Sequence, residues 1–237
     1  MTVALELAVT DLAGVRVALD LGMDRVEVCG ALEVGGLTPS PAFVERTVAL
    51  AAGSGLGIHP LIRVRAGGFV YADDEVAIMA DDVRRLVDAG ADGVVVGALR
   101  DGAVDLVALE LLREAAGDVE VTFHRAVDAV DASDDVLDVL ADAGVTRVLT
   151  AGGTDVSAGL ERLRALCAQP GRRVQVMAGG GVTEENIGAL LEVGVDAIHF
   201  SAGARVEDPS AAAGGYGSHH VTDADRARRL VSLARGA

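Results

Sequence analysis

A short pattern recurs four times along the chain and restricts its folds more than any other feature. It runs acid, any residue, Gly, any residue, Asp or Thr, any residue, Val or Ile. It appears as Asp20-Gly22-Asp24-Val26, Asp88-Gly90-Asp92-Val94, Asp142-Gly144-Thr146-Val148 and Glu192-Gly194-Asp196-Ile198. A glycine so placed ends a helix in a left-handed turn just before the next strand. The copies are 68, 54 and 50 residues apart, each close to two βα units. The repeating element is therefore a βαβα pair, and four pairs make a (β/α)8 TIM barrel.

Hydrophobic patterning supplies the eight units. Strands are expected over 3–9, 25–29, 57–65, 93–98, 120–126, 147–151, 174–178 and 197–201. Helices are expected near 11–21, 41–52, 75–89, 105–116, 133–143, 155–168, 183–193 and 222–234. The mean unit is about 30 residues, the size of a βα repeat. Ser40-Pro41 sets a hydroxyl cap before a proline at the first helical position. Ser133-Asp134-Asp135, Thr183-Glu184-Glu185 and Thr222-Asp223 bring caps and acids to helix starts, where the dipole favours them. A doubly wound sheet is the rival fold, but Val9-Thr10-Asp11-Leu12-Ala13 has no Gly-rich fingerprint after the first strand. No linker or low-complexity tract divides the chain, so 1–237 reads as a single α/β domain. One irregular stretch, 203–221, is expected as a loop, either a lid, an interface or plain disorder.

Composition excludes several kinds of chemistry. All 20 basic residues are Arg. Schiff-base catalysis and a Walker phosphate loop both need a lysine. A formal charge of −16 and only six aromatic residues argue against nucleic acid. No apolar run approaches a membrane span and no signal peptide opens the chain, so a soluble cytoplasmic protein is expected. Cys29 and Cys167 are too few for a disulfide framework or a Cys-rich zinc site.

In such barrels reacting groups lie at the C-terminal ends of the strands. Those ends offer Glu6, then Glu27 and Cys29, then Arg63 and Arg65, then His124, Arg125 and Asp128, then His199 and Ser201. Charges gathered at one rim predict a polar pocket. Glu27, His124, Asp128 and Glu6 are the candidate acid–base residues. A plainer role for Glu27 is a salt bridge to Arg63 or Arg65. His59, early in its strand and before Pro60, reads as structural, whereas His199 could face either way. His219 and His220 read as solvated. The small residues Gly180 and Gly181 after strand seven, with Ser201 and Gly203 after strand eight, suit a phosphate-type anion site to which Arg63 and Arg65 would add charge. The same glycines could simply make tight turns. Cys29 is the one candidate soft metal ligand at the rim, completed by His124, His199 or Met177; the alternative is a small buried hydrophobe.

Several stretches resemble the CutC family. They are Asp24-Arg25-Val26-Glu27-Val28-Cys29, Glu33-Val34-Gly35-Gly36-Leu37-Thr38-Pro39-Ser40, the run from His59 to Tyr71, Val121 to Asp128, Arg147 to Gly153 and Ser201 to Arg205. The resemblance runs along nearly the whole chain. It implies a cytoplasmic TIM-barrel protein, often a homo-oligomer, linked to copper homeostasis or Cu(I) binding. Two cysteines near the ends of the first two strands are the proposed Cu(I) ligands in vertebrate relatives. Cys29 matches the second, and Ala8 stands at the place of the first. The resemblance also covers Glu6, Glu27, Arg63, Arg65, His124 and Asp128. Two functions are therefore carried forward. One is copper handling with Cu(I) at Cys29 and no other cofactor. The other is an enzyme doing acid–base chemistry on a small anionic molecule, phosphorylated or not. Neither has nucleic acid or a membrane as partner.

Overall fold

The computed structural model describes residues 3–130, 135–207 and 217–236. Eight parallel strands form the barrel: β1 (Ala4–Val9), β2 (Arg25–Val28), β3 (Gly57–Pro60), β4 (Gly93–Val96), β7 (Glu120–Phe123), β8 (Arg147–Thr150), β9 (Gln175–Gly179) and β10 (Ala197–Phe200). Two antiparallel ribbons stand apart, β5 (Leu99–Arg100) with β6 (Ala103–Val104), and β11 (Gly203–Glu207) with β12 (Ser218–Thr222). The helices are α1 (Leu12–Asp20), α2 (Pro41–Ala51), α3 (Asp73–Asp88), α4 (Leu106–Ala116), α5 (Val136–Asp142), α6 (Leu160–Cys167), α7 (Ile187–Val193) and α8 (Ala224–Gly236).

The barrel sheet runs β3-β2-β1-β10-β9-β8-β7-β4. Its two edges meet through a bridge between Leu61 and Val95. The Ile62 N–H donates to the Val95 carbonyl at 2.8 Å, and the Asp92 N–H to that of Ile58 at 2.9 Å. The wall is therefore closed, but along β3–β4 it is stitched rather than fully laddered.

The recurring pattern has a physical use. Gly22, Gly90, Gly144 and Gly194 all have φ between +60° and +100°, where a Cβ is costly. The Asp or Thr two residues later turns back to the preceding strand and accepts an early backbone N–H there. Asp24 takes that of Leu5 at 2.8 Å, Asp92 that of Ile58 at 2.9 Å, and Asp196 that of Val176 at 2.7 Å. Thr146 accepts from Val121 at 3.4 Å. Each pair of strands is thus pinned in register by one side chain.

Alternation along the strands separates two environments. Leu5, Leu7, Val26, Val28, Val94, Val96, Phe123, Val148, Val176 and Ile198 face the helices and form the main core. Inward positions hold only small apolar groups, Leu149–Met177–Ala197 and Cys29–Leu61–Val95. The rest of the interior is polar.

Several expected boundaries move. The third strand ends at Pro60 rather than 65, because the chain then turns away and the Arg63 N–H goes to Thr38 Oγ1 at 2.9 Å. Ser40 caps α2 as expected, accepting from Phe43 at 3.3 Å. Thr183 is not the cap of α7; its N–H donates to Asn186 Oδ1 at 2.8 Å and the helix begins at Ile187. Asp223, not Thr222, caps α8, accepting the N–H groups of Asp225 and Arg226. Of the cap expected at Ser133-Asp134-Asp135, the first two residues lie outside the described residues. The stretch 203–221 is not irregular throughout: its flanks pair as β11–β12, with Arg205 opposite His220.

Candidate functional site

The barrel interior carries three tiers of polar side chains. At the N-terminal ends of the strands, Arg147 is 2% exposed. It donates to Gln175 at 3.0 Å, to Thr122 at 3.1 Å and to Glu120 at 2.9 Å. His59 Nε2 lies 3.8 Å from the same Glu120 carboxylate. Burial drives the His59 pKa down to about 4; the Glu6 and Glu120 charges oppose this, and Arg147 and Arg25 reinforce it.

The middle tier joins three adjacent strands. Glu6 on β1 is fully buried. Its Oε1 takes His199 Nδ1 from β10 at 2.8 Å, and its Oε2 takes Arg25 Nε from β2 at 3.0 Å. The other ring nitrogen, Nε2 of His199, lies 3.7 Å from Glu27 Oε2. Register places these groups together, since Glu6 is level with both Arg25 and His199. Burial would raise the Glu6 pKa, but the His199 hydrogen bond and charge, with Arg25 and His59, hold it well below the carboxylate range. Burial pushes Glu27 up to about 7; His199 restrains the rise and Glu6 adds to it. Burial disfavours the His199 cation, yet Glu27 and the Glu6 bond outweigh that and raise its pKa. The surroundings thus favour the ionised form of Glu6 and the cationic form of His199, and leave Glu27 with a pKa of about 7.

The upper tier lies at the C-terminal ends, where the chain after β7 and the loop after β3 meet. His124 is 5% exposed and Arg63 6%. His124 Nδ1 accepts the Ala126 N–H at 3.1 Å. Arg63 binds the carbonyls of Val34, Gly36 and Gly67 at 3.1, 3.0 and 2.6 Å. Both pack against the Phe69 ring, its centroid 4.9 Å from that of His124 and 5.3 Å from Arg63 Cζ.

Three glycines make room for the histidines. A Cβ on Gly93 would come within 2.6 Å of His59, on Gly97 within 2.3 Å of His124, and on Gly179 within 3.0 Å of His199.

The expected site residues divide accordingly. Glu6 and Glu27 come together with His199, inside the barrel rather than at its rim, and Glu27 faces His199 rather than Arg63 or Arg65. His124 and Arg63 come together above them. Arg65 points outward and braces its own loop, bound to Glu75 at 2.5 Å and to the carbonyls of Gly68 and Val70. Asp128 ties the chain after β7 to the end of β8, accepting from Arg125 at 2.9 Å, Thr150 at 2.5 Å and Ala151 at 3.0 Å. Gly180 packs under the Arg125 guanidinium, Gly181 follows at φ +87°, and Gly203 opens β11 beside Ser201. His219 and His220 are exposed on β12, as expected. Arg25, Glu120 and Arg147 were not among the expected site residues. The signal was the alternation itself, charged residues at every second position of otherwise apolar strands, as in Arg25-Val26-Glu27-Val28.

Cys29 does not fit a Cu(I) ligand as placed. Its Sγ faces the Val9 carbonyl at 3.6 Å among Leu61, Val95 and Leu32. Burial, with Glu27 and Glu33, pushes the thiol pKa well up, and a metal takes the thiolate. Among the described residues no three His, Cys, Asp or Glu side chains converge as a metal site. Nor is any described helix long and apolar enough to cross a membrane.

Fold and interior together define the class: a (β/α)8 barrel whose axis is lined with paired ionisable groups. The chain belongs to the CutC family, whose model matches residues 3–204. A family protein CutC of Citrobacter koseri is 45% identical over 193 residues, 79% of this chain and 75% of its own length. The CutC protein of Streptococcus agalactiae, assigned provisionally to copper homeostasis, superposes with a TM-score of 0.79 at 31% identity, over 84% of this chain and 98% of that one. KGPDC from Streptococcus mutans shares the fold alone, with a TM-score of 0.63 at 14% identity over 100% and 99% of the two chains.

Proposed function

We propose that the protein is an enzyme that moves a proton on a small anionic molecule, with Glu27 as the proton-transferring group. The observation that carries this reading is the Glu6–His199–Glu27 constellation, three ionisable side chains from three neighbouring strands linked at 2.8 and 3.7 Å. A carboxyl balanced between its two forms near pH 7 suits both giving and taking a proton. Glu6 is a positioning residue: it fixes His199 by its hydrogen bond and favours the imidazolium form beside Glu27. His199, Arg25 and Arg63 supply the positive potential that favours an anionic ligand.

The test is solvent deuterium incorporation into a panel of small 2-oxo acids, 2-hydroxy acids and sugar phosphates, followed by NMR. Wild type is expected to exchange a carbon-bound hydrogen of at least one of them. Glu27→Gln is expected to lower that rate about 100-fold or more. A folded wild type that exchanges none overturns the reading.

The family's association with copper supports a second reading, in which Cys29 is the Cu(I) ligand. It is checked by a Cu(I) competition titration under reducing conditions, comparing wild type with Cys29→Ala and Cys167→Ala. From the buried, protonated thiol we expect weak binding, equal in all three. Tight stoichiometric binding lost only in Cys29→Ala would establish copper handling instead.

A further inference from the structure

Arg63 is a buried cation without a carboxylate. The other two arginines of the barrel interior are each matched, Arg25 by Glu6 and Arg147 by Glu120. Arg63 has no ion pair among the described residues, only three backbone carbonyls. Those bonds use both hydrogens of Nη1 and one of Nη2. The Nε–H is buried and has no partner. A buried charge held this way is expensive unless an anion joins it.

A second stranded donor packs against the same Phe69 ring. Because His124 Nδ1 accepts from Ala126, the ring hydrogen sits on Nε2. That Nε2 is also buried and without a partner. The Tyr71 hydroxyl, also buried, lies beside Arg63. The arrangement is held firmly. The Phe69 carbonyl accepts the Leu99 N–H of β5 at 2.8 Å, and glycine at 97 leaves the space that the His124 ring occupies.

We infer that His124 Nε2–H and Arg63 Nε–H, both left without a partner and both packed against Phe69, bind one planar oxyanion, a carboxylate or the enolate formed when a carbonyl compound loses an α-proton. His124 suits this role because burial, then the Arg63 charge, push its pKa down to about 3, against a weak opposing backbone bond. It is a neutral hydrogen-bond donor at physiological pH rather than a proton carrier. Donors of this kind stabilise a developing negative charge most where water is excluded. The inference rests on the proton-transfer reading for its chemistry: Glu27 would take the carbon-bound proton, and the electron pair would be received by the carbonyl group held at His124 and Arg63.

The experiment is histidine-selective 15N NMR on the full chain, with oxalate as the planar probe and inorganic phosphate as the tetrahedral comparison. Wild-type His124 is expected as the neutral Nε2–H tautomer from pH 5 to 8. Oxalate is expected to shift that resonance and to bind about 10- to 100-fold more weakly to His124→Gln, the worth of a hydrogen bond to a charged group. Arg63→Gln strips three loop carbonyls of their donor and could unfold the loop, so the wild-type tautomer and its response to oxalate decide the matter. An Nδ1–H tautomer, a His124 that protonates within that pH range, an oxalate-insensitive resonance, or phosphate binding as tightly as oxalate each overturns the inference. Glu27→Gln separates the two proposals. It is expected to keep oxalate binding while losing deuterium exchange. Oxalate binding without exchange in wild type would leave the oxyanion site standing and remove the enzyme.

Discussion

Gly97 is where one atom matters most. A methyl there would lie 2.3 Å from His124 Cε1. The backbone of β4 or the chain after β7 must then give way, and overpacking of this kind costs about 1–3 kcal/mol. Gly97→Ala is therefore expected to lower the denaturant midpoint and to shift the His124 resonance even if the fold survives. Titration gives His124 and Glu27 opposite signatures. The His124 pKa falls from an ordinary 6.5 to about 3 in the fold, so the native state binds fewer protons between those values. Its stabilising contribution is full above about pH 6.5 and is lost as pH falls, on the order of 3 kcal/mol between pH 7 and 4. Glu27 rises from 4.5 to about 7, so its contribution is present below about 4.5 and is lost as pH climbs through 7. Urea melts across this range should show a shallower acid slope in His124→Gln and a relative gain above pH 7 in Glu27→Gln. If Glu27 is the base, kcat/KM for the exchange reaction should rise with pH through about 7. Much of this was legible residue by residue, since Glu6, Glu27, Arg63 and His124 stand out as ionisable residues in or just after otherwise apolar strands. Their grouping was not. The contact between Glu27 and His199 depends on β10 lying beside β1, across the whole length of the chain, and no local pattern encodes that.

Among the elements, the strand–turn junctions announced themselves most clearly because one short pattern does two jobs. Its glycine stops a helix and its Asp or Thr holds the neighbouring strand. Asp92 is the copy with most to lose, since it pins Ile58 where β3 and β4 share little else. Asp92→Ala should cost about 1–3 kcal/mol and speed amide exchange at Ile58. Removing Thr146 Oγ1, whose bond to Val121 is 3.4 Å, should cost less. Helix starts were less legible where turns intervene: Asp155 holds the N–H groups of Ser157 and Ala158, so α6 begins only at Leu160. The β5–β6 ribbon was overlooked although Asp101-Gly102 is a strong hairpin signal, and both residues have the positive φ that such a turn requires. That ribbon anchors Phe69, so the omission hid the frame of the upper tier.

Over the whole molecule, charge is sorted by place. The formal charge is −16, and the interior arginines Arg25, Arg63 and Arg147 are offset by the buried acids Glu6, Glu27 and Asp105, so the exterior carries essentially all of the excess negative charge. Self-repulsion of that exterior opposes the compact state. Raising NaCl from about 10 mM to about 150 mM shortens the screening length from about 30 Å to about 8 Å. A rise in Tm of about 2–4 °C, the equivalent of roughly 1 kcal/mol in a chain of this size, is the expected result. Eightfold architecture followed from the repeat, whereas the polar interior required the closed cylinder to be seen, because only closure brings inward residues of distant strands face to face. The wall also has a weakest line. Between β3 and β4 a single bridge and a few hydrogen bonds do what full ladders do elsewhere, and local opening begins where such bonds are fewest. His59 stands on one side of that line and Gly93, which makes room for its ring, on the other. When the barrel breathes, the slit opens beside His59, so water reaches the ionisable column through the flank of the cylinder as well as through its mouth.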